Sequence, residues 1–229
     1  MVLNKAVRLP VYTDQKLLLK DLAICETENW KNHFHDKVYT GKWNSVALYS
    51  PSGNREDIFT ESNETFKPTP LLESCSYFRE VLDSMLFVKQ SVRLLRLGAK
   101  AEIKTHRDLR LSYPNGIFRL HIPLSTDDQV DFIIAGDRVV MNPGECWYGD
   151  FNQPHSVNNR GEQDRIHLVI DGERNEWTDS LFESAGYDFQ ADANYHQHDD
   201  ATKAKVIEEL LAMDTPTSRS LAKQLMNEQ

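Results

Sequence analysis

Between residues 91 and 171 the apolar positions fall in short runs separated by turn-forming residues. Val92–Leu97, Ala101–Thr105, Phe118–Leu124, Asp131–Ala135, Arg138–Met141, Glu145–Tyr148, Ser156–Asn159 and Arg165–Asp171 each read as a strand. Pro114-Asn-Gly116, Ala135-Gly-Asp137, Asn142-Pro-Gly144 and Arg160-Gly161 punctuate them. Short strands at such regular spacing predict a mainly β fold: a sandwich, barrel or jelly roll. The pattern changes on either side. Leu71, Leu72, Cys75, Phe78, Leu82 and Met85 recur at three- and four-residue intervals, which predicts a helix over residues 68–87 with Pro70 in its first turn. A shorter helix begins near Asp14 and carries Leu17, Leu18, Leu22 and Ile24. Tyr39-Thr-Gly-Lys-Trp43 leads into a strand through Val46, Leu48 and Tyr49, ended by the turn cluster Ser50-Pro-Ser-Gly-Asn54. Past residue 172 the chain becomes polar and then helical. Val206, Ile207, Leu210 and Leu211 share a face of Thr202–Met213, and Pro216 opens a second helix containing Leu221 and Leu225. The division expected is a β domain with flanking helices over 1–174, then a polar linker and helical extension over 175–229.

At 229 residues the chain can bury about 70% of its unfolded surface, so no metal or disulfide staple is needed for a core. Its 26 basic and 35 acidic residues give a net charge of −9, which argues against nucleic acid as a partner. A local basic pocket for a small acid remains compatible with that balance. The apolar runs fall far short of the ~20 residues of a membrane span, and the first residues lack a signal-peptide core. Three widely spaced cysteines without a CxxC pair fit a reduced, cytoplasmic protein. No GxSxG, P-loop or GxGxxG pattern occurs, so esterase, NTPase and Rossmann readings lack support.

The sharpest chemical signal is His106-Arg107-Asp108, with His155 following 47 positions after the aspartate. Two imidazoles and one carboxylate form the ligand set that holds non-haem Fe(II) while leaving coordination sites open. In a strand, residues i and i+2 face the same way, so His106 and Asp108 are expected to project together. Arg165 opens an otherwise apolar strand, where burial of its charge demands a partner; a bound carboxylate or an ordinary salt bridge would serve. Arg119 and His121, again at i and i+2, interrupt the apolar run of residues 117–124 and mark either a second anion-holding point or a solvated face.

These stretches, with Phe118-Arg-Leu-His-Ile-Pro-Leu124, Pro143-Gly-Glu-Cys-Trp-Tyr-Gly-Asp150, His155-Ser-Val-Asn158 and Arg165-Ile-His-Leu-Val-Ile-Asp171, resemble in order the aspartyl/asparaginyl β-hydroxylase family of Fe(II)/2-oxoglutarate-dependent dioxygenases. The resemblance covers about residues 92–171. Tyr39-Thr-Gly-Lys-Trp43 is similar to the bacterial free-proline hydroxylase branch. The resemblance implies a double-stranded β-helix, or jelly roll, flanked by helices. It places the metal on His106, Asp108 and His155 and the distal carboxylate of 2-oxoglutarate on Arg165. Arg119 and His121 match positions near the metal-proximal carboxylate. It further implies O2 as co-reactant, ascorbate as a support, and succinate and CO2 as products. Animal peptide-hydroxylating members carry Gly where this chain has Asp108, so the chain stands nearer the bacterial members, several of which act on free amino acids. The substrate expected is a free amino acid or small derivative, with peptidyl Asp or Asn as the alternative. Arg93, Arg96, Arg107 and Trp43 are the substrate-contact candidates.

Two rivals keep the fold: a cupin-like metalloenzyme working with Zn or Mn, and a non-catalytic binding module whose tail helices recruit a partner. Those helices are also expected to pair across a homodimer or to pack on the core. His33-Phe-His35 and His196-Gln-His198 are discounted as metal sites, the latter as part of a solvated linker. His167 is read as a strand residue on the face opposite Arg165's neighbours, without a role.

Overall fold

The computed structural model describes residues 4–33, 38–59 and 65–227, with only the backbone at 192–201, 216, 217, 220, 224 and 227. In chain order the elements are β1 (Ala6–Leu9), α1 (Gln15–Glu26), β2 (Lys31–Asn32), β3 (Tyr39–Thr40), β4 (Trp43–Ser50), β5 (Lys67–Pro68), α2 (Pro70–Glu73) and α3 (Ser76–Ser84). Next come β6 (Lys89–Leu97), β7 (Glu102–His106), β8 (Ile117–Ser125), β9 (Val130–Ile134), β10 (Asp137–Arg138), β11 (Cys146–Gly149), β12 (His155–Asn159) and β13 (Arg165–Glu173). Helices α4 (Glu176–Ser184), α5 (Phe189–Ala212) and α6 (Pro216–Asn227) complete the chain.

The strands form two antiparallel sheets. The large sheet runs β1-β11-β8-β13-β6-β4-β2, with β5 on β4, and the small sheet runs β10-β9-β12-β7-β3. Trp43 and Leu97 of the large sheet share one buried cluster with Ile103, Phe132, Ile134 and Val157 of the small one. The two inner faces therefore pack against each other, and the result is a jelly roll. β13 is hydrogen-bonded on both sides and buried over eight of its nine residues, which accounts for its near-continuous apolar run.

The helix expected over 68–87 is two helices. Thr69 caps α2 with Pro70 at its first position, and the chain leaves helical geometry at Cys75 (φ −109°, ψ 80°). Cys75 offers no side-chain cap to α3. Asp21 of α1 supplies it instead, its Oδ2 accepting from the Tyr77 and Phe78 amides at 2.7 and 2.8 Å. A capping partner 56 residues away in sequence cannot be read from local periodicity. Cys25, Cys75 and Cys146 are all free and buried. No helix among the described residues is long and apolar enough to cross a membrane.

Two compact units result. One comprises Asn4–Tyr187 and holds both sheets; the other contains Asp188 onward, with α5 and α6 packed on each other. α4, which follows residue 174, belongs to the first unit. Its Phe182 stacks on Tyr113 at 3.8 Å, and the Tyr113 hydroxyl donates to Asp179 Oδ1 at 2.7 Å. The segment expected as a polar linker around Tyr195–Asp200 is instead the N-terminal half of α5, capped by Asp188. The stretch is mostly polar, so hydrophobic periodicity is silent there.

Candidate active site

His106 closes β7 and His155 opens β12, and the two are register partners with ring centroids 4.2 Å apart. Strand alternation alone would set Ile103 and His106 on opposite faces. Between the pairs His155–His106 and Val157–Ile103, however, β7 spends three residues against two on β12. This β-bulge turns His106 to the inner face beside Ile103. Asp108 does not lie on the strand as expected from the i, i+2 rule. It stands in the following turn, its amide donating to Phe151 O at 3.0 Å. Arg119 Nη1 then donates to Asp108 Oδ2 at 2.6 Å and fixes the carboxylate.

One ligand atom from each of His106, Asp108 and His155 lies within 4.8 Å of the others. Both imidazoles commit Nδ1 to a backbone carbonyl, His106 to Lys104 O at 2.8 Å and His155 to Gln153 O at 3.0 Å. In the neutral ring this leaves Nε2 bare and able to ligate a metal. Burial pushes His155 down to about 4, so it is neutral at ordinary pH. Burial alone would raise the Asp108 carboxyl, but Arg119, with His155 and His106, outweighs it and holds the carboxyl below its usual range. Two imidazoles and one carboxylate, with His155 neutral and Asp108 ionised, fit a divalent metal.

The cluster opens on a cavity of about 400 Å³ between the sheets, within the size range of small-molecule sites. Five arginines line it (Arg93, Arg107, Arg110, Arg119 and Arg165) against two carboxylates, Asp108 and Asp171. A chain of net charge −9 has thus gathered an excess of positive charge in this cavity.

Strand register explains which residues arrive there. Asp171 and Val169 of β13 lie opposite Arg119 and His121 of β8, and Val169 lies opposite Arg93 of β6. Arg165, His167 and Asp171 share that inner face by period-two alternation. Arg93 and Arg96 differ by an odd number of positions and so face opposite ways. Arg93 is buried in the cavity wall. Arg96 lies outside it, over the Trp30 ring at 4.0 Å and paired with Glu26 at 3.0 Å.

Asp171, which sequence reasoning left without a role, is the counter-ion of this wall. Its carboxylate accepts from Arg119 Nε at 2.6 Å and Nη2 at 2.9 Å, and from Arg93 Nη2 at 3.4 Å. Arg119 is therefore held by two carboxylates. Arg165 differs: it is 2% exposed, lies 5.1 Å over the Phe132 ring, and has no carboxylate partner among the described residues. Burial lowers it to about 9. The salt bridge that would be its ordinary explanation is absent there. Arg107 lines the mouth and donates to Asn152 O at 3.2 Å.

Trp43 lines the cavity with His33 stacked on it, ring centroids 3.5 Å apart and planes within 7°. His33, discounted from sequence as half of a His-x-His pair, is a cavity residue, and its pair mate His35 lies outside the described residues. The side chains of His196 and His198, on α5, also lie outside them. His167 is not turned away from Arg165's surroundings: its Nδ1 lies 2.8 Å from Arg165 Nη2.

A jelly roll with two histidines and a carboxylate clustered between its sheets defines the class of mononuclear non-haem metal proteins. More narrowly, the chain belongs to the family described as Aspartyl/Asparaginyl beta-hydroxylase, whose sequence profile matches residues 15–175. It is 28% identical over 171 residues to L-proline cis-4-hydroxylase of Rhizobium meliloti (strain 1021), covering 73% of this chain and 60% of that one. It is also 28% identical over 165 residues to L-proline cis-3-hydroxylase 2 of a Streptomyces species, covering 69% and 56%. The chain thus spans less than two thirds of either relative's length. Among solved structures, a 2OG-Fe(II) oxygenase family oxidoreductase from Burkholderia pseudomallei superposes with a TM-score of 0.53 at 15% identity, over 75% of this chain and 86% of that one, a likeness of fold.

Proposed function

We propose that the chain is an Fe(II)- and 2-oxoglutarate-dependent hydroxylase of a free amino acid of the proline type. One observation carries the reading. A two-histidine, one-carboxylate cluster shares a cavity with Arg165, a buried guanidinium lacking a carboxylate partner among the described residues. When bound, Fe(II), 2-oxoglutarate and O2 supply the oxidising power for hydroxylating a C–H bond, with succinate and CO2 as by-products; the chain supplies placement, charge and exclusion of water.

In this reading His106 and His155 ligate through Nε2, and Asp108 through the oxygen not engaged by Arg119. Arg165 takes the distal carboxylate of 2-oxoglutarate, and Arg119 and His121 border its metal-proximal end. Three guanidiniums of the inner wall (Arg93, Arg119 and Arg165) face two carboxylates (Asp108 and Asp171), an excess of one positive charge before any metal. A divalent ion raises the excess to three and a dicarboxylate lowers it to one. That remaining charge suits a substrate carboxylate. Arg93 is assigned to it, because its two bonds, to Ile58 O and Asp171, are both long at 3.4 Å. Trp43 stacked on His33 gives a flat wall suited to a small ring. The two L-proline hydroxylases among the relatives support the substrate class.

The test is succinate formation by the purified chain with Fe(II), ascorbate, O2 and 2-oxoglutarate, across free amino acids including L-proline and across Asp- and Asn-containing peptides. Stimulation by a free cyclic amino acid, with one oxygen added to it by mass spectrometry, is expected. Stimulation by the peptides alone would overturn the substrate class. No succinate with any compound, together with no 2-oxoglutarate-dependent Fe(II) absorption band, would overturn the reaction.

A further inference from the structure

His167 is 2% exposed, and the reading above gives it no task. It stands two residues after Arg165 on β13, so both side chains enter the space between the sheets. Its Nδ1 lies 2.8 Å from Arg165 Nη2 and 3.1 Å from His121 Nδ1. A guanidinium can only donate, so Nδ1 of His167 carries no proton and the ring is protonated at Nε2. The same bare nitrogen can meet His121 favourably only if His121 donates. That puts the His121 proton on Nδ1 and leaves a lone pair on its Nε2, a buried atom with no partner among the described residues. Burial, with Arg165 nearby, lowers both imidazoles far below their ordinary range, so both rings are neutral.

The choice of a neutral acceptor has an electrostatic consequence. A carboxylate at position 167 would hold the guanidinium as firmly but would cancel its charge, as Asp171 does for Arg119. An apolar residue would leave the charge free but unaimed. An imidazole nitrogen orients the guanidinium and leaves its charge intact.

We propose that His167 is a positioning residue that aims the uncompensated Arg165 guanidinium at an incoming dicarboxylate and fixes the tautomer of His121. The identity of the dicarboxylate rests on the cosubstrate reading given above; the tautomers do not.

Two measurements test this. In the first, 2-oxoglutarate is titrated calorimetrically into the full chain loaded with Mn(II), for the wild type, His167→Leu and His167→Asn. Leu removes the acceptor, and loss of one aimed, charge-assisted contact predicts affinity weaker by roughly tenfold to a hundredfold. Asn restores an acceptor oxygen at about the place of Nδ1, and its affinity is expected to stay within about threefold of the wild type, well inside that loss. Equal affinity in Leu and wild type overturns the proposal even if Leu melts at a lower temperature, because a merely structural role lowers stability without touching affinity. In the second, the imidazole ¹⁵N spectrum of the ligand-free wild type is expected to show His167 protonated at Nε2 and His121 at Nδ1. Protonation of His167 at Nδ1 overturns the proposal. This spectrum decides even where His167→Leu does not fold. Failure of the wild type to bind 2-oxoglutarate would count against the cosubstrate reading, with the tautomers still judging His167.

Discussion

Replacing Asp171 by Asn leaves the shape of the cavity wall unchanged and removes one charge. Asp171 is 5% exposed at its side chain, Arg119 12% and Arg93 3%, so water can replace little of what is lost. The Asp171 carboxylate now receives three contacts, at 2.6, 2.9 and 3.4 Å. An amide offers one oxygen, and its NH2 must face a guanidinium N–H. Breaking one side of a buried ion pair costs about 3–5 kcal/mol, because the surviving charge stays buried without its counter-ion. Arg119 keeps Asp108, which puts the expected cost near the lower end, about 3 kcal/mol. For a domain of this size each kcal/mol lowers the melting temperature by about 2–4 °C, so Asp171→Asn should melt roughly 6–12 °C below the wild type. Circular dichroism melts of the metal-free proteins in the same buffer measure this. A drop smaller than about 2 °C would refute the reasoning that Asp171 neutralises this wall.

Further outcomes follow from the same geometry. His106→Ala and His155→Ala should each weaken Fe(II) binding by at least about tenfold in anaerobic titrations, since each removes one of the three proposed ligands; unchanged affinity would refute the cluster as a metal site. His121 and His167 are held neutral in the fold, while an unfolded chain protonates histidine near 6.5. The unfolded state therefore binds more protons below that pH, and the stability present above it is lost as pH falls. Burial and the positive charge of Arg165 oppose protonation of both rings, so melting temperatures between about pH 8 and about pH 5 should fall more steeply for the wild type than for His167→Asn. Equal slopes would show that His167 is not kept neutral by burial. Gly172→Ala would drive a Cβ into the edge of the Phe87 ring and should cost about 1–3 kcal/mol in urea unfolding; a neutral result would mean that Phe87 yields freely.

Much of the site is legible in the amino-acid sequence. His106, Asp108 and His155 are residue types that can hold a metal, Arg165 interrupts an apolar strand, and their joint order resembles one enzyme family. Strand parity also separates Arg93 from Arg96 and sets His167 and Asp171 on the face of Arg165, against the reading that put His167 on the opposite face, kept both arginines as substrate contacts and gave Asp171 no role. What resists reading is local geometry that breaks parity. The bulge on β7 turns His106 to the face of Ile103, and Asp108 reaches the cluster from a turn held by Phe151 and Arg119. The split between α2 and α3 is likewise invisible in the sequence, because the cap of α3 comes from Asp21.

The alternation and turn residues between positions 91 and 171 by themselves determined a succession of short strands, since period-two burial is a property of each strand alone, and left sandwich, barrel and jelly roll all open. The sequence also contained a candidate metal-ligand set, His106, Asp108 and His155, and an arginine costly to bury. The tertiary structure decided which charges meet. Arg119 was drawn to Asp108 and Asp171, Arg165 was left with a neutral histidine, and Arg96 was turned out of the cavity. Those outcomes depend on the register between strands far apart in sequence, as with β6, β8 and β13. Register is set by the packing of whole faces, and a shift of one residue would exchange the inner and outer sets.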